Sequence, residues 1–120
     1  MANEITISAS LAFSKGGVGS SLSDSALQFD VSGTDYMQGT QGVLHTDQEA
    51  LDLGHITTPG YCYMKNTDAT NYIEVFGVED EGATLKLKAG EVALFRFGAT
   101  APFLQADTAA VQIDYLLIED

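Results

Sequence analysis

Residues 4–13 read Glu4-Ile5-Thr6-Ile7-Ser8-Ala9-Ser10-Leu11-Ala12-Phe13. Ile5, Ile7, Ala9, Leu11 and Phe13 fall on one face, and Thr6, Ser8, Ser10 and Ala12 on the other. Side chains alternate across a strand, so a period of two marks a half-buried β-strand and not a helix. The run is long for a strand. It reads either as a plain core strand or as an arm, within residues 1–13, that pairs with a neighbouring subunit.

The same period runs through the rest of the chain. Residues 14–25, Ser-Lys-Gly-Gly-Val-Gly-Ser-Ser-Leu-Ser-Asp-Ser, are dominated by glycine and serine and read as a loop. Leu27, Phe29 and Val31 alternate with Gln28 and Asp30, and a further strand is expected from Tyr36, with Gly39 and Gly42 as places for a bulge. Asp47 to Leu53 is the one stretch with helical character and is too short to stand alone. Thr58-Pro59-Gly60 suits a type II turn. Tyr61 to Lys65 and Tyr72 to Phe76, separated by a polar turn, read as a hairpin. Leu85 and Leu87 alternate with Lys86 and Lys88. Val92 to Phe97 is apolar on both faces apart from Arg96 and reads as a central strand. Gly98 to Pro102 reads as a loop, Phe103 to Ala106 as a short strand, and Val111 to Leu117 as the last strand. Eight to ten short strands with little or no helix predict an all-β antiparallel sandwich, jelly-roll-like.

Length bounds the organisation. At 120 residues the chain suits one β-sandwich domain over 1–120. A hydrophobic fraction of 45% argues against global disorder, despite a net charge of −12 from 17 acids and 5 cations. Phosphate backbones bind clustered Lys and Arg, and these five are scattered, so nucleic acid is not an expected partner. No apolar run approaches the ~18 residues of a membrane-spanning helix, and no secretory leader is recognisable at Met1-Ala2-Asn3-Glu4. One cysteine forms no internal disulfide.

Several constellations bear on chemistry. Gly16-Gly17-Val18-Gly19-Ser20 lacks the Lys-Ser/Thr pair and the following helix that a phosphate loop requires. His45, Asp47 and Glu49 would share one face of a strand, with His55 ten residues on, but the spacing matches no closed zinc pattern. Glu79-Asp80-Glu81 could offer oxygen ligands to calcium, though three acids at a turn suit simple solvation equally. Cys62 lies in an alternating strand, the setting of a structural thiol. Ser23 and Ser25 have no base nearby in sequence. Carboxylate pairs for glycoside hydrolysis meet only in the fold and are not excluded by spacing. Tyr36, Tyr61, Tyr63, Tyr72 and Tyr115 suit either cross-strand packing or an aromatic binding surface. No nucleophile, base or metal set emerges, so no enzymatic activity and no cofactor are expected.

The phrasing of three further stretches is informative. They are Thr58-Pro-Gly-Tyr-Cys-Tyr-Met-Lys-Asn-Thr-Asp-Ala-Thr-Asn-Tyr-Ile-Glu-Val, Leu85-Lys-Leu-Lys-Ala-Gly-Glu-Val-Ala-Leu-Phe-Arg-Phe, and Ala109-Ala-Val-Gln-Ile-Asp-Tyr-Leu-Leu-Ile-Glu-Asp. With the opening Met-Ala-Asn-Glu-Ile-Thr-Ile-Ser-Ala-Ser-Leu, they resemble a family of small β-rich virion structural proteins of tailed bacteriophages. Residues 14–35 carry none of the likeness. The resemblance implies a non-enzymatic particle component, assembled in the host cytoplasm, with no functional residues to carry over. The expected role is a capsid decoration, or cement, protein that bridges shell subunits as a homotrimer. A tail, neck or fibre-adaptor component is one alternative, and a carbohydrate-binding module is another. The residues expected at the assembly interface are Ile5, Ile7, Leu11, Phe13 and Lys15, with the loop from Lys15 to Ser25.

Overall fold

The computed structural model describes residues 3–98 and 101–120. The expected loop at Gly98–Pro102 lies partly outside them, as do the first two residues of the expected arm. The described chain is all-β and antiparallel. It holds ten strands: β1 (Ile5–Lys15), β2 (Val18–Phe29), β3 (Tyr36–Val43), β4 (Glu49–Ala50), β5 (Pro59–Asn66), β6 (Ile73–Phe76), β7 (Leu85–Leu87), β8 (Val92–Arg96), β9 (Phe103–Ala106) and β10 (Val111–Glu119). The helix considered at Asp47–Leu53 is absent, and the two-residue strand β4 occupies its middle.

Two compact units divide the chain, Met1–Ser32 and Gly33–Asp120, where the sequence suggested one domain over 1–120. The first is the β1–β2 hairpin alone. Residues 14–25, read as a loop, are instead the end of β1, a two-residue turn and the first part of β2. Serine is a poor strand signal, so the first part of β2, with apolar side chains only at Val18 and Leu22 before Ala26, looks like a loop from composition.

The second unit is built from two four-stranded sheets, ordered β3-β10-β5-β8 and β4-β9-β6-β7. Their inward residues form one core. Cys62 and Met64 of β5 and Ile113, Tyr115 and Leu117 of β10 come from the first sheet. Ile73 and Val75 of β6, Leu87 of β7 and Leu104 and Ala106 of β9 come from the second. Each large apolar side chain buried here contributes about 1.5–3 kcal/mol. The strict alternation of β10, buried at Val111, Ile113, Tyr115 and Leu117, follows from its place between β3 and β5, one face inward and one outward. From β3 onward successive strands alternate between the sheets except for β6 and β7, which pair within the second, an order compatible with a jelly roll.

Three local expectations are corrected. β5 and β6 do not pair as a hairpin, since β5 bonds to β10 and β8 while β6 bonds to β7 and β9. β8 is an edge strand and not a central one, and its outward Val92 and Leu94 remain partly exposed. Gly60 is not the left-handed residue of a type II turn but the second residue of β5. It is glycine because a Cβ there would lie 3.2 Å from the Ile118 carbonyl oxygen and 3.1 Å from Asp120 Cβ.

Candidate functional site

The hairpin begins at its turn. Gly16 and Gly17 have φ of 58° and 82°, a pair of positive values that suits the type I′ turn, whose twist matches the flanking strands. Lys15 then stands opposite Val18, Phe13 opposite Ser20, Leu11 opposite Leu22 and Ala9 opposite Asp24. Closer to the base, Ile7 faces Leu27 and Ile5 faces Phe29. Between these two runs the register shifts by one residue, so that Ser25 and Ala26 together oppose Ser8. Ala26 takes a positive φ of 56°, and its N–H donates to Ser8 Oγ at 3.0 Å. The base is tied by two further bonds, from Asn3 N–H to Asp30 Oδ1 and from Val31 N–H to Glu4 Oε1 at 3.2 Å.

Residues directly opposite in an antiparallel pair share a face. One face of the ribbon therefore carries Ile5, Ile7, Leu11, Phe13, Val18, Leu22, Leu27 and Phe29, with Ala9, Ser20, Asp24 and Lys15 among them. The other face carries Thr6, Gln28, Ser10, Ser23, Ala12, Ser21, Ser14 and Gly19. The register shift has a consequence: without it, Leu22 and Leu27, five apart, would point to opposite sides.

The apolar face is open toward the turn. Leu11 and Leu22 are each 78% exposed, Val18 66% and Phe13 56%. At roughly 100 Å² for each half-exposed large side chain, these four present on the order of 400 Å² of apolar surface. A contiguous apolar patch of that size is about the largest a typical monomer shows and is often functional, and an isolated two-stranded ribbon is marginal in water. Such a face is suited to packing against another protein surface.

The structure brings all five residues expected at an assembly interface onto this face. Ile5 is buried, Ile7 half-buried, and Leu11, Phe13 and Lys15 are exposed. Sequence reasoning placed Val18, Leu22 and Asp24 at the interface only as parts of a loop, and missed that they belong to a strand that carries the same face on to Leu27 and Phe29. The available signal was the Gly16-Gly17 dipeptide, a two-residue hairpin turn once strands are sought on both sides of it.

The other candidates are dispersed. Among the described residues no group of three or more His, Cys, Asp or Glu side chains comes together as a metal set. His45 contributes its carbonyl to Gln105 Nε2. His55 Nε2 lies 2.9 Å from Asp35 Oδ2, and that hydrogen bond holds the Asp35 carboxyl below the usual range. The turn at Glu79–Glu81 places Asp80 N–H on Gln48 Oε1 at 2.8 Å. Cys62 is fully buried, and desolvation pushes its thiol up to about 12.

The tyrosines split by position. Tyr115 is buried and donates its hydroxyl to the Asp52 carbonyl at 2.9 Å. Tyr72 lies under the Lys86 ammonium, 4.3 Å from the ring centre. Tyr36, Tyr61 and Tyr63 share the outward face of the β3-β10-β5-β8 sheet. There the Arg96 guanidinium sits 5.3 Å from the Tyr61 ring centre and pairs with Asp120. A shallow depression of about 470 Å³ on this face is lined by Gln38, Thr40, Tyr63, Lys65 and Asp114.

Compared with known proteins, the chain has no match among family models, curated proteins or solved structures.

Proposed function

We propose that the protein is a non-enzymatic structural component of a tailed-phage virion, a capsid decoration protein that stabilises the shell by bridging its subunits. The observation that carries this reading is the amphipathic hairpin, whose apolar ladder of Leu11, Phe13, Val18 and Leu22 is exposed. The resemblance of the flanking sequence to small phage structural proteins supplies the setting. A net charge of −12 weakens association between free copies before assembly and suits docking on a polar or basic partner surface.

The deciding experiment is quantitative mass spectrometry of purified particles, scaled to the major shell protein. Hundreds of copies in fixed ratio to the shell are expected. About three to twenty copies would fit the low-order rings of a tail or neck and move the assignment there. Absence from particles would end the reading.

A second reading has its own observation, the outward tyrosines beside the depression over Gln38, Thr40, Lys65 and Asp114. Exposed aromatic rings with polar neighbours suit the faces of sugar rings. Glycan-array binding that is lost in Tyr63→Ala would favour a carbohydrate-binding module.

A further inference from the structure

The hairpin face has a charge pattern that selects its occupant. Three acids (Glu4, Asp24 and Asp30) against Lys15 leave the first unit at −2, while fourteen acids against four cations leave the second at −10. Within β1 and β2 themselves only Lys15 and Asp24 are charged, and they are of opposite sign. Both stand on the apolar face, Lys15 in the row next to the turn and Asp24 opposite Ala9, three rows further down.

We infer that this face packs against the same face of a second copy, with the two hairpins antiparallel about a two-fold axis at the height of Ala12. The inference rests on the reading of the hairpin as an assembly element and names its partner. Reversing one ribbon about that height places Lys15 of each copy in the row of the other's Ala9 and Asp24. It also sets Leu11 and Leu22 over the other's Phe13 and Ser20. Every contact is made twice, as an isologous interface requires. A depression of about 250 Å³ beside Ala9, Leu11, Leu22 and Asp24 receives the other copy's Lys15 stem. A parallel three-fold bundle of the same faces would instead gather three Lys15 in one layer and three Asp24 in another, like charges on one axis.

Area sets the strength. Two faces of on the order of 400 Å² bury about 800 Å², below the ~1,200 Å² of a stable interface. The pair is therefore weak and concentration-dependent in free solution, and gains strength where many copies are held side by side on one surface. In that setting, paired hairpins tie neighbouring copies together.

The test is sedimentation equilibrium of the full chain over a wide concentration range. A monomer–dimer equilibrium is expected. Leu11→Ser with Leu22→Ser should abolish it, and since both side chains are largely exposed and the core lies in the other unit, thermal melts should stay unchanged. Lys15→Glu alone and Asp24→Lys alone should each weaken the dimer by about fivefold or more, and the double exchange should restore it to near the original constant. Monomer at every concentration, a trimer, persistence of the dimer in the double serine variant, or no restoration by the charge exchange would each overturn the inference. Particle copy number is read separately, so a self-pairing protein absent from particles would sink the virion assignment and leave the pairing standing.

Discussion

The Asn66 side chain donates from Nδ2 to the Leu87 carbonyl at 3.0 Å, a buried bond from the end of β5 in one sheet to the end of β7 in the other. The same nitrogen donates to the Asn71 carbonyl at 2.9 Å, and Oδ1 accepts the Asp68 N–H at 2.8 Å. One amide thus satisfies three backbone groups where the chain crosses between sheets. This is why Tyr61–Lys65 and Tyr72–Phe76 do not close as a hairpin: the intervening turn is organised around Asn66 and continues into the second sheet.

Asn66→Leu keeps much of the volume and removes all three bonds. Leaving two carbonyls and an N–H without partners should cost about 3 kcal/mol or more. Urea denaturation should show the midpoint falling with an unchanged m-value. Asn66→Asp should be at least as damaging, because the oxygen in place of Nδ2 would face two carbonyl oxygens and the buried site would carry a charge. A loss below about 1 kcal/mol in either variant would mean the crossover holds without this amide.

Gly33 lies against Glu119, near the end of β10. A Cβ at Gly33 would fall 2.8 Å from the Glu119 carbonyl oxygen and 2.7 Å from its Cγ. Backbone cannot swing away as a side chain can, so Gly33→Ala should cost about 1–3 kcal/mol through forced displacement. Calorimetry of the intact chain should record the drop in melting temperature, and an unchanged melt would show that this approach relaxes freely.

The all-β class was legible because alternation is a local property, and β1, β5 and β10 display it residue by residue. Sheet order was not, since the partner of a strand is fixed by long-range closure. β8 illustrates the gap: its apolar character reads as burial on both faces, yet it ends a sheet and leaves Val92 and Leu94 partly exposed. The apolar face of the hairpin was half legible. Ile5, Ile7, Leu11 and Phe13 announce themselves by period, whereas Leu22 and Leu27 are five apart and come to one face only through the extra residue at Ser25–Ala26. Nothing in composition marks that shift.

Cys62 provides a pH-dependent signature. Its folded pKa is raised by burial from 9.0 to about 12, so above pH 9 the unfolded chain releases a proton that the folded chain retains. The stability associated with the neutral thiol is fully present below pH 9 and is lost as pH rises toward 12. Burial also raises Tyr115, with Asp52 and Cys62 adding to the shift, and that group acts in the same direction above pH 10. Denaturant melts from pH 8 to pH 11 should therefore show falling stability, with a shallower fall in Cys62→Ala and not its disappearance. At pH 8 a thiol reagent should react with the unfolded chain and be excluded from the folded one. Equal rates in both states would contradict the burial of Cys62.

The hairpin turn offers a test of the arm that leaves the second unit untouched. Gly16 and Gly17 both hold positive φ, and a Cβ at either meets nothing within 4 Å, so only backbone conformation restricts these positions. Asn tolerates the left-handed region, and Asn-Gly is a favoured type I′ pair, so Gly16→Asn should leave the hairpin intact. Valine at position 17 is a different matter, because a β-branched residue at φ 82° is a steric outlier costing about 1–2 kcal/mol. With only two strands to share that cost, the effect should appear as local opening and not as global unfolding. Hydrogen exchange should be about tenfold faster at the amides next to the turn in Gly17→Val and unchanged in β5 and β10. Uniform acceleration across both units would show that the hairpin and the second unit open together, and no acceleration anywhere would show that the turn tolerates a β-branched residue.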